Sequence, residues 1–388
     1  MPTLTEPHYP IEPPAYGKLR EVIPGLTWLR VPLPFARLDH LNVWILDEGD
    51  SWAVMDCGMN TPDTIAIWQE LLAGPLAAKP IRVLIATHCH GDHIGYARRL
   101  CAITGARFIS TRAEWFSAVQ RRVETNRGMR AEAHEFYGRN GVPESDVDAI
   151  LNERDAMGAR VDPPPESYFR ITDGHSLRFG GRDWQVSTSG GHALEHPIFQ
   201  SPGLALMVAG DQLLPRISPH IGIQMHEPLE NPLGEYFALL DDLSETSDDI
   251  LVMPSHEGPY FGLSGRIAQL RAHHENRLDR IVKAAGGGRT VYEISKIVFH
   301  AAVCRGQVKH AFSETLAHVN YLLAEGQILK ETGKDGLHRY ACPRAATNAS
   351  CTLLRTESDK PPLAARTRHS LIGSAGNLIG PTGKRRKQ

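Results

Sequence analysis

Three histidines and an aspartate fall within six residues in Thr87-His88-Cys89-His90-Gly91-Asp92-His93-Ile94-Gly95. Neutral imidazoles with a carboxylate suit zinc, and also iron or manganese, which take mixed nitrogen and oxygen ligands. A lone histidine is usually just exposed or hydrogen-bonded, but HxHxDH concentrates ligand types beyond what a polar loop needs. The apolar run at 81–86 (IRVLIA) stops abruptly before it, as expected of a strand buried on both faces. A sharp loop at such a strand end can aim all four side chains at one point, whereas a helix would spread them around its circumference. Cys89 alternates with these residues and is expected to point away from the metal.

The elements that must carry this loop follow a strand–loop–helix–strand order. Short β-like runs at 26–31, 42–46 and 51–55 come first, the last ending in the turn Asp56-Cys57-Gly58. Residues 61–72 read as a helix with Ile65, Trp68, Leu71 and Leu72 on one side. A helix at 96–104 and a strand at 107–110 complete an α/β pattern. Residues 111–160 are helical in composition, rich in Arg and Glu, and stop before Pro163-Pro164-Pro165. Strand signals resume at 176–179, 184–189, 204–208 and 250–253, with a helix at 235–243. Beyond Gly258 come helices at 266–284, 292–299 and 313–325, then a hairpin at 327–331 and 337–341. The expected division is an irregular lead-in at 1–20, a catalytic domain at 21–260, a winged-helix-like domain at 261–344 and a disordered basic tail at 345–388.

Composition excludes several classes. In 388 residues, Lys+Arg number 42 and Asp+Glu 44, so no global charge attracts nucleic acid or an anionic membrane. No apolar run approaches the ~20 residues of a membrane helix. The amino terminus has no basic region followed by an apolar one, so the expected location is the cytoplasm. Six cysteines without a CxxC are expected to be mainly reduced core residues.

The stretch from Thr87 to Gly95 resembles the metallo-β-lactamase superfamily signature THxHxDHxG at every specified position. Further matches follow in order: His192 in Gly190-Gly191-His192, Asp211 in Ala209-Gly210-Asp211, and His256 in Pro254-Ser255-His256. The resemblance implies a four-layer αββα sandwich with a two-metal site along one edge of the sheets. It places His88, His90 and His192 on one ion and Asp92, His93 and His256 on the other, with Asp211 bridging. The implied cofactors are two divalent metal ions, zinc foremost, with iron or manganese as alternatives. Two such cations lower the pKa of a shared water toward ~7, and Asp92 would orient it as the catalytic residue. By the same resemblance Asp56 supports the loops, and His196 is structural rather than a ligand.

The scaffold hosts many chemistries, so substrate must be argued from the remainder. The insert at 111–160 is expected to cap the metal edge. Its Arg121, Arg122, Arg127 and Arg130 are candidate substrate contacts for phosphate or carboxylate, and Trp115, Phe116, Phe136 and Tyr137 could line an acyl channel. The order of elements resembles the glyoxalase II-like and acyl-thioester-hydrolysing branch. Hydrolysis of a thioester, ester or lactone leads, with an acyl-CoA-type thioester slightly ahead; a phosphodiesterase or nuclease is the alternative. The candidate recognition helix at 313–325 is expected to show Glu314, His318, Tyr321 and Glu325 outward, nearly without basic residues, which disfavours nucleic acid as partner. The expected partner is a small molecule, with no membrane contact, and a homodimer is compatible with the sequence.

Overall fold

The computed structural model describes residues 6–35, 38–124 and 129–343, and of 122–124 the backbone only. Arg127 and the tail at 345–388 lie outside the described residues, as does the Arg122 side chain. Two sheets carry the fold. The first takes its strands in chain order: β1 (Leu19–Ile23), β2 (Leu26–Pro32), β3 (His40–Asp47), β4 (Trp52–Met55), β5 (Ile81–Ile85), β6 (Arg107–Ser110) and β7 (Phe169–Arg170). It is antiparallel from β1 to β4 and parallel from β4 to β7. The second contains β8 (Ser176–Phe179), β9 (Arg182–Ser189), β10 (His196–Ser201), β11 (Leu206–Gly210) and β12 (Leu251–Pro254), in the order β12-β11-β10-β9-β8.

Strand periodicity explains the layers, because successive side chains point to opposite faces. Trp44 and Leu46 of β3 join Trp184, Phe199, Val208 and Met253 in the core between the sheets. Their neighbours Val43 and Ile45 face outward into a second core with Trp68, Leu71 and Leu100. Those come from α1 (Pro62–Ala73) and, past the four-residue helix α2 (Gly91–Ile94), from α3 (Ala97–Thr104). The Thr61 hydroxyl accepts the Thr64 N–H and Pro62 opens α1, a start well suited to a helix. The outer face of the second sheet, with Ile198, Met207 and Ala209, forms a third core. Helices therefore cover both outer faces, giving the αββα sandwich.

The insert after β6 folds as α4 (Arg112–Glu124), α5 (Arg130–Arg139) and α6 (Glu144–Gly158). After α7 (Pro232–Asp242), the carboxy-terminal part holds α8 (Leu263–Ala285), α9 (Val291–Val298), α10 (His300–Cys304), α11 (Val308–Ala324) and the ribbon β13 (Leu329–Thr332) with β14 (His338–Ala341). Ile281, Ile294, Leu316 and Val319 of these helices belong to the same core as Ile198 and Met207.

Four expectations are corrected here. The strand expected at 204–208 begins at Leu206, because Pro202–Leu204 is a 3-10 turn closed by Ala205 at φ 48°, and β10 precedes it. The lead-in reaches into β1, and His8 pairs with Phe261. Three aromatics of the insert are taken up by packing rather than by a channel: Trp115 stacks on Tyr168, and Phe136 and Tyr137 pack on Phe312, while Phe116 is exposed. On α11, His318 is fully buried and Glu314 is paired with Arg277, so most of the supposed outer face is covered, with Tyr321 half-buried and only Glu325, just past the helix, exposed. A helix buried on nearly all sides cannot enter a nucleic-acid groove. Among the described residues no helix is long and apolar enough to cross a membrane.

Candidate metal centre

Five of the seven residues singled out as ligands stand just beyond the carboxyl end of a strand. His88 and His90 follow β5, His192 follows β9, Asp211 follows β11 and His256 follows β12. Asp92 and His93 lie on the single turn of α2. That turn changes one expectation: the HxHxDH residues do not all aim at one point. His88 and His90 gather with His192 and Asp211, whereas Asp92 and His93 gather with His256.

The two groups meet at Asp211. Its Oδ2 lies 3.3 Å from His192 Nε2 and 4.0 Å from His88 Nε2. Its Oδ1 lies 3.3 Å from His256 Nε2 and 3.6 Å from His93 Nε2. Asp92 Oδ2 is 3.4 Å from His93 Nε2 and 3.5 Å from His256 Nε2. In the first group His88 Nε2 is 2.9 Å from His90 Nδ1 and 3.3 Å from His192 Nε2.

The donor set fits metal ions. Asp211 Oδ1, His93 Nε2 and His256 Nε2 are buried without a hydrogen-bond partner, a costly arrangement unless something else satisfies them. Ligand atoms about 2.0–2.1 Å from a tetrahedral zinc lie roughly 3.3 Å apart, close to the spacings here. Electrostatics agrees. Burial, with the imidazoles of His93 and His90, holds His88 well below its ordinary pKa, leaving it neutral. Burial opposes a charge on His93, yet the carboxylates of Asp92, Asp211 and Asp56 outweigh it and raise His93 well above its ordinary value. Burial would likewise raise Asp211, but His256 and His93 hold it well below the usual carboxylate range. Negative charge thus converges where cations would offset it.

In four of the five imidazoles the nitrogen opposite the facing one is also engaged, which helps fix ring orientation and tautomer. His88 Nδ1 meets Thr87 Oγ1 at 3.1 Å, and His93 Nδ1 meets Asp56 Oδ2 at 2.8 Å. His192 Nδ1 donates to His220 O at 3.0 Å, and His256 Nδ1 to His40 O at 2.7 Å. Asp56, at φ 61°, also accepts from Thr87 N–H and its hydroxyl. His196 stays out of the ligand groups: its Nε2 accepts the Asp211 N–H at 3.2 Å and its ring stacks on His88. Gly210 has φ 55°, and a Cβ there would meet His196 Cε1 at 2.2 Å, so only glycine permits this approach.

Sequence reasoning missed three supports. The His40 and His220 contributions are backbone carbonyls, which no side-chain pattern announces. Glu114, fully buried on α4, accepts the N–H groups of Cys89 at 2.9 Å and Glu195 at 2.8 Å, tying two ligand loops together. A glutamate in a charged helix gave no signal of this.

A cavity of about 330 Å³ opens beside His192, lined among others by Cys89, Ser117, Arg121, Leu194, Ile223, Glu227, Glu230 and Glu235. Burial pushes the Cys89 thiol up to about 12, which makes it a poor nucleophile. Of the candidate substrate arginines, Arg121 faces this cavity, while Arg130 pairs with Asp155 at 3.3 Å and Asp148 at 3.7 Å on α6.

Comparison with known proteins agrees with the geometry. The metallo-beta-lactamase superfamily profile matches residues 36–256, and that of the metallo-beta-lactamase-like C-terminal domain matches 278–343. A beta-lactamase domain protein from Burkholderia ambifaria is 34% identical, covering 87% of this chain and 98% of that one, with a TM-score of 0.78. A metallo-beta-lactamase family protein from Thermus thermophilus is 28% identical, covering 83% and 100%, with a TM-score of 0.69. No curated protein matches the sequence significantly. With its paired ligand groups and both profiles in order, the chain belongs to the metallo-beta-lactamase superfamily, whose members are typically metal-dependent hydrolases.

Proposed function

We propose that the chain hydrolyses a small ester, thioester or lactone, with two divalent metal ions, zinc foremost, held between the two ligand groups. The observation that carries this is the Asp211 carboxylate, whose two oxygens face separate sets of imidazoles. When bound, such a pair supplies Lewis acidity toward the scissile carbonyl and acidifies the attacking water.

The chain's own residues supply the rest. His88, His90 and His192 would hold one ion; His93 and His256, with Asp92, the other. Asp92 is the catalytic residue in this reading. Its side chain is 14% exposed against 7% for Asp211, so its carboxylate remains reachable from the substrate side. There it can orient the water and carry a proton to the leaving oxygen or sulfur. The cavity beside His192 would take the acyl group, with Arg121 on a carboxylate or polarised oxygen. Glu227, Glu230 and Glu235 line the same cavity, and three carboxylates against one guanidinium oppose a phosphate-rich carrier. We therefore favour a small acyl substrate over acyl-CoA within the thioesterase-like branch, acting in the cytoplasm. The burial of α11 weighs against the nuclease alternative.

The test is an activity panel on metal-loaded protein, using short esters, lactones, small thioesters, acyl-CoAs and RNA. Turnover of a small acyl substrate that is lost to a chelator and restored by zinc is expected. A protein that takes up no transition metal, or cleaves only RNA, would overturn this reading.

A further inference from the structure

The geometry points to His220 as a positioning residue for His192, held in place by the carboxy-terminal helix α11. This rests on the metal-centre reading above. The partners of three other ligand rings come from within the sandwich: Thr87 for His88, Asp56 for His93, and the His40 carbonyl for His256. His192 differs. Its Nδ1–H donates to the carbonyl of His220, in the irregular segment between β11 and α7.

A carbonyl on such a segment holds an imidazole only as firmly as the segment itself is held. Here the His220 ring is anchored on α11, with Nε2 3.0 Å from Ser313 Oγ and Nδ1 3.6 Å from Glu314 Oε2. Ile223 N–H donates to Ser313 O at 3.2 Å, fixing the segment a second time. Glu314 is itself held by Arg277 of α8. The packing leaves no slack, since a Cβ on Gly222 would lie 2.5 Å from His220 Nε2 and 3.0 Å from Ser313 Oγ. A continuous path therefore runs from Arg277 through Glu314 and His220 to His192, whose Nε2 faces Asp211 Oδ2 at 3.3 Å.

The neighbouring group His274, Glu314 and His318 also brings ligand-type atoms within 4.8 Å of one another. Arg277 already neutralises Glu314, so a cation there would stand against a guanidinium. His318 Nδ1 donates to Glu314 O at 2.7 Å, and its Nε2 lies 3.1 Å from His274 Nδ1. The group is thus a hydrogen-bonded footing beneath the His220 segment. The carboxy-terminal domain, on this account, completes the metal centre without contributing a ligand to it.

The experiment titrates cobalt(II) into metal-free full-length protein and follows its visible bands, with wild type, His220→Ala, His220→Gln and Ser313→Ala, and His192→Ala as reference. In His220→Ala the band that His192→Ala removes should need about 10–100-fold more cobalt, while the other band is unchanged. His220→Gln, which keeps a hydrogen-bonding group near Ser313, should recover part of the loss. The melting temperature of metal-free His220→Ala should stay near that of wild type. If His220→Ala binds both equivalents like wild type, or weakens both in step with a lost melting temperature, the inference is wrong. If His220→Ala does not fold, Ser313→Ala decides: a selective loss supports the path and no loss overturns it. A wild-type protein that takes up no cobalt would instead sink the underlying metal-centre reading.

Discussion

The Asp56 carboxylate meets His93 Nδ1 at 2.8 Å and, through its two oxygens, also gathers the Thr87 amide and hydroxyl. One aspartate at the end of β4 thereby sets the pose of a ring whose other nitrogen faces Asp211. Asp56→Asn keeps the shape but weakens the acceptor. It is expected to lower metal affinity of the group formed by Asp92, His93 and His256 by about 10–100-fold. Cobalt titration should find the group containing His192 unaffected.

Asp211 and His196 should separate cleanly. Asp211→Ala removes the carboxylate that faces both groups, so bound metal should fall below the expected total of about two ions per chain. Turnover should drop more than 100-fold, on the order of a lost ligand rather than a lost ligand partner. His196→Ala removes only the acceptor for the Asp211 N–H, and about a tenfold loss is expected. Equal losses in metal analysis and activity would mean that His196 is a ligand after all.

Arg121 and Arg130 should behave differently although both belong to the insert. Arg121→Ala at the cavity is expected to raise KM for a carboxylate-bearing ester by about tenfold, the scale of one charge-assisted hydrogen bond. Arg130→Ala should leave KM alone and reduce stability by at most about 1 kcal/mol, because its partners Asp148 and Asp155 are half exposed. Steady-state kinetics and thermal melts of the two variants check this.

Acid should loosen the carboxy-terminal helices. Burial lowers His318 from 6.5 to about 4 and His274 from 6.5 to about 2. Each therefore takes its proton in the unfolded chain first, and stability falls as pH drops below about 6.5. Glu314 acts in the same direction at lower pH. Burial works against its charge, but His220 and Arg277 bring it from 4.5 down to about 2, so its contribution is lost as pH falls through that window. The melting temperature of the metal-free protein should fall by roughly 5–10 °C between pH 7 and pH 5. In His318→Gln that slope should be shallower.

How far the sequence could be read depended on what carried each signal. Strands β5 and β12 are apolar runs closed by turn residues, so their positions and the candidate ligands just past them were legible, and the β11 run, though displaced by two residues at its start, still led to Asp211. The two-residue β7 has too few residues for a period, and β10 was hidden because it begins inside the Gly190 to His196 stretch that read as motif. On α11, Glu314 and His318 look like surface residues in a list of types. Their burial depends on Arg277 and His274, which lie on another helix and share no local pattern with them. Carbonyl acceptors such as those of His40 and His220 are invisible for a simpler reason, since every residue has one.

The core beneath the second sheet has a consequence for how the chain is made. Ile198, Met207 and Ala209 share it with Ile281, Ile294, Leu316 and Val319. Synthesis is vectorial, so every ligand has left the ribosome once His256 is clear of the exit tunnel. At that moment the insert and α7 can already cover part of the outer face of the second sheet, but Ser313 and Glu314 have yet to be joined to the chain. On the metal-centre reading, His192 would then gain its full support only once translation has passed α11 and that helix has docked on the His220 segment.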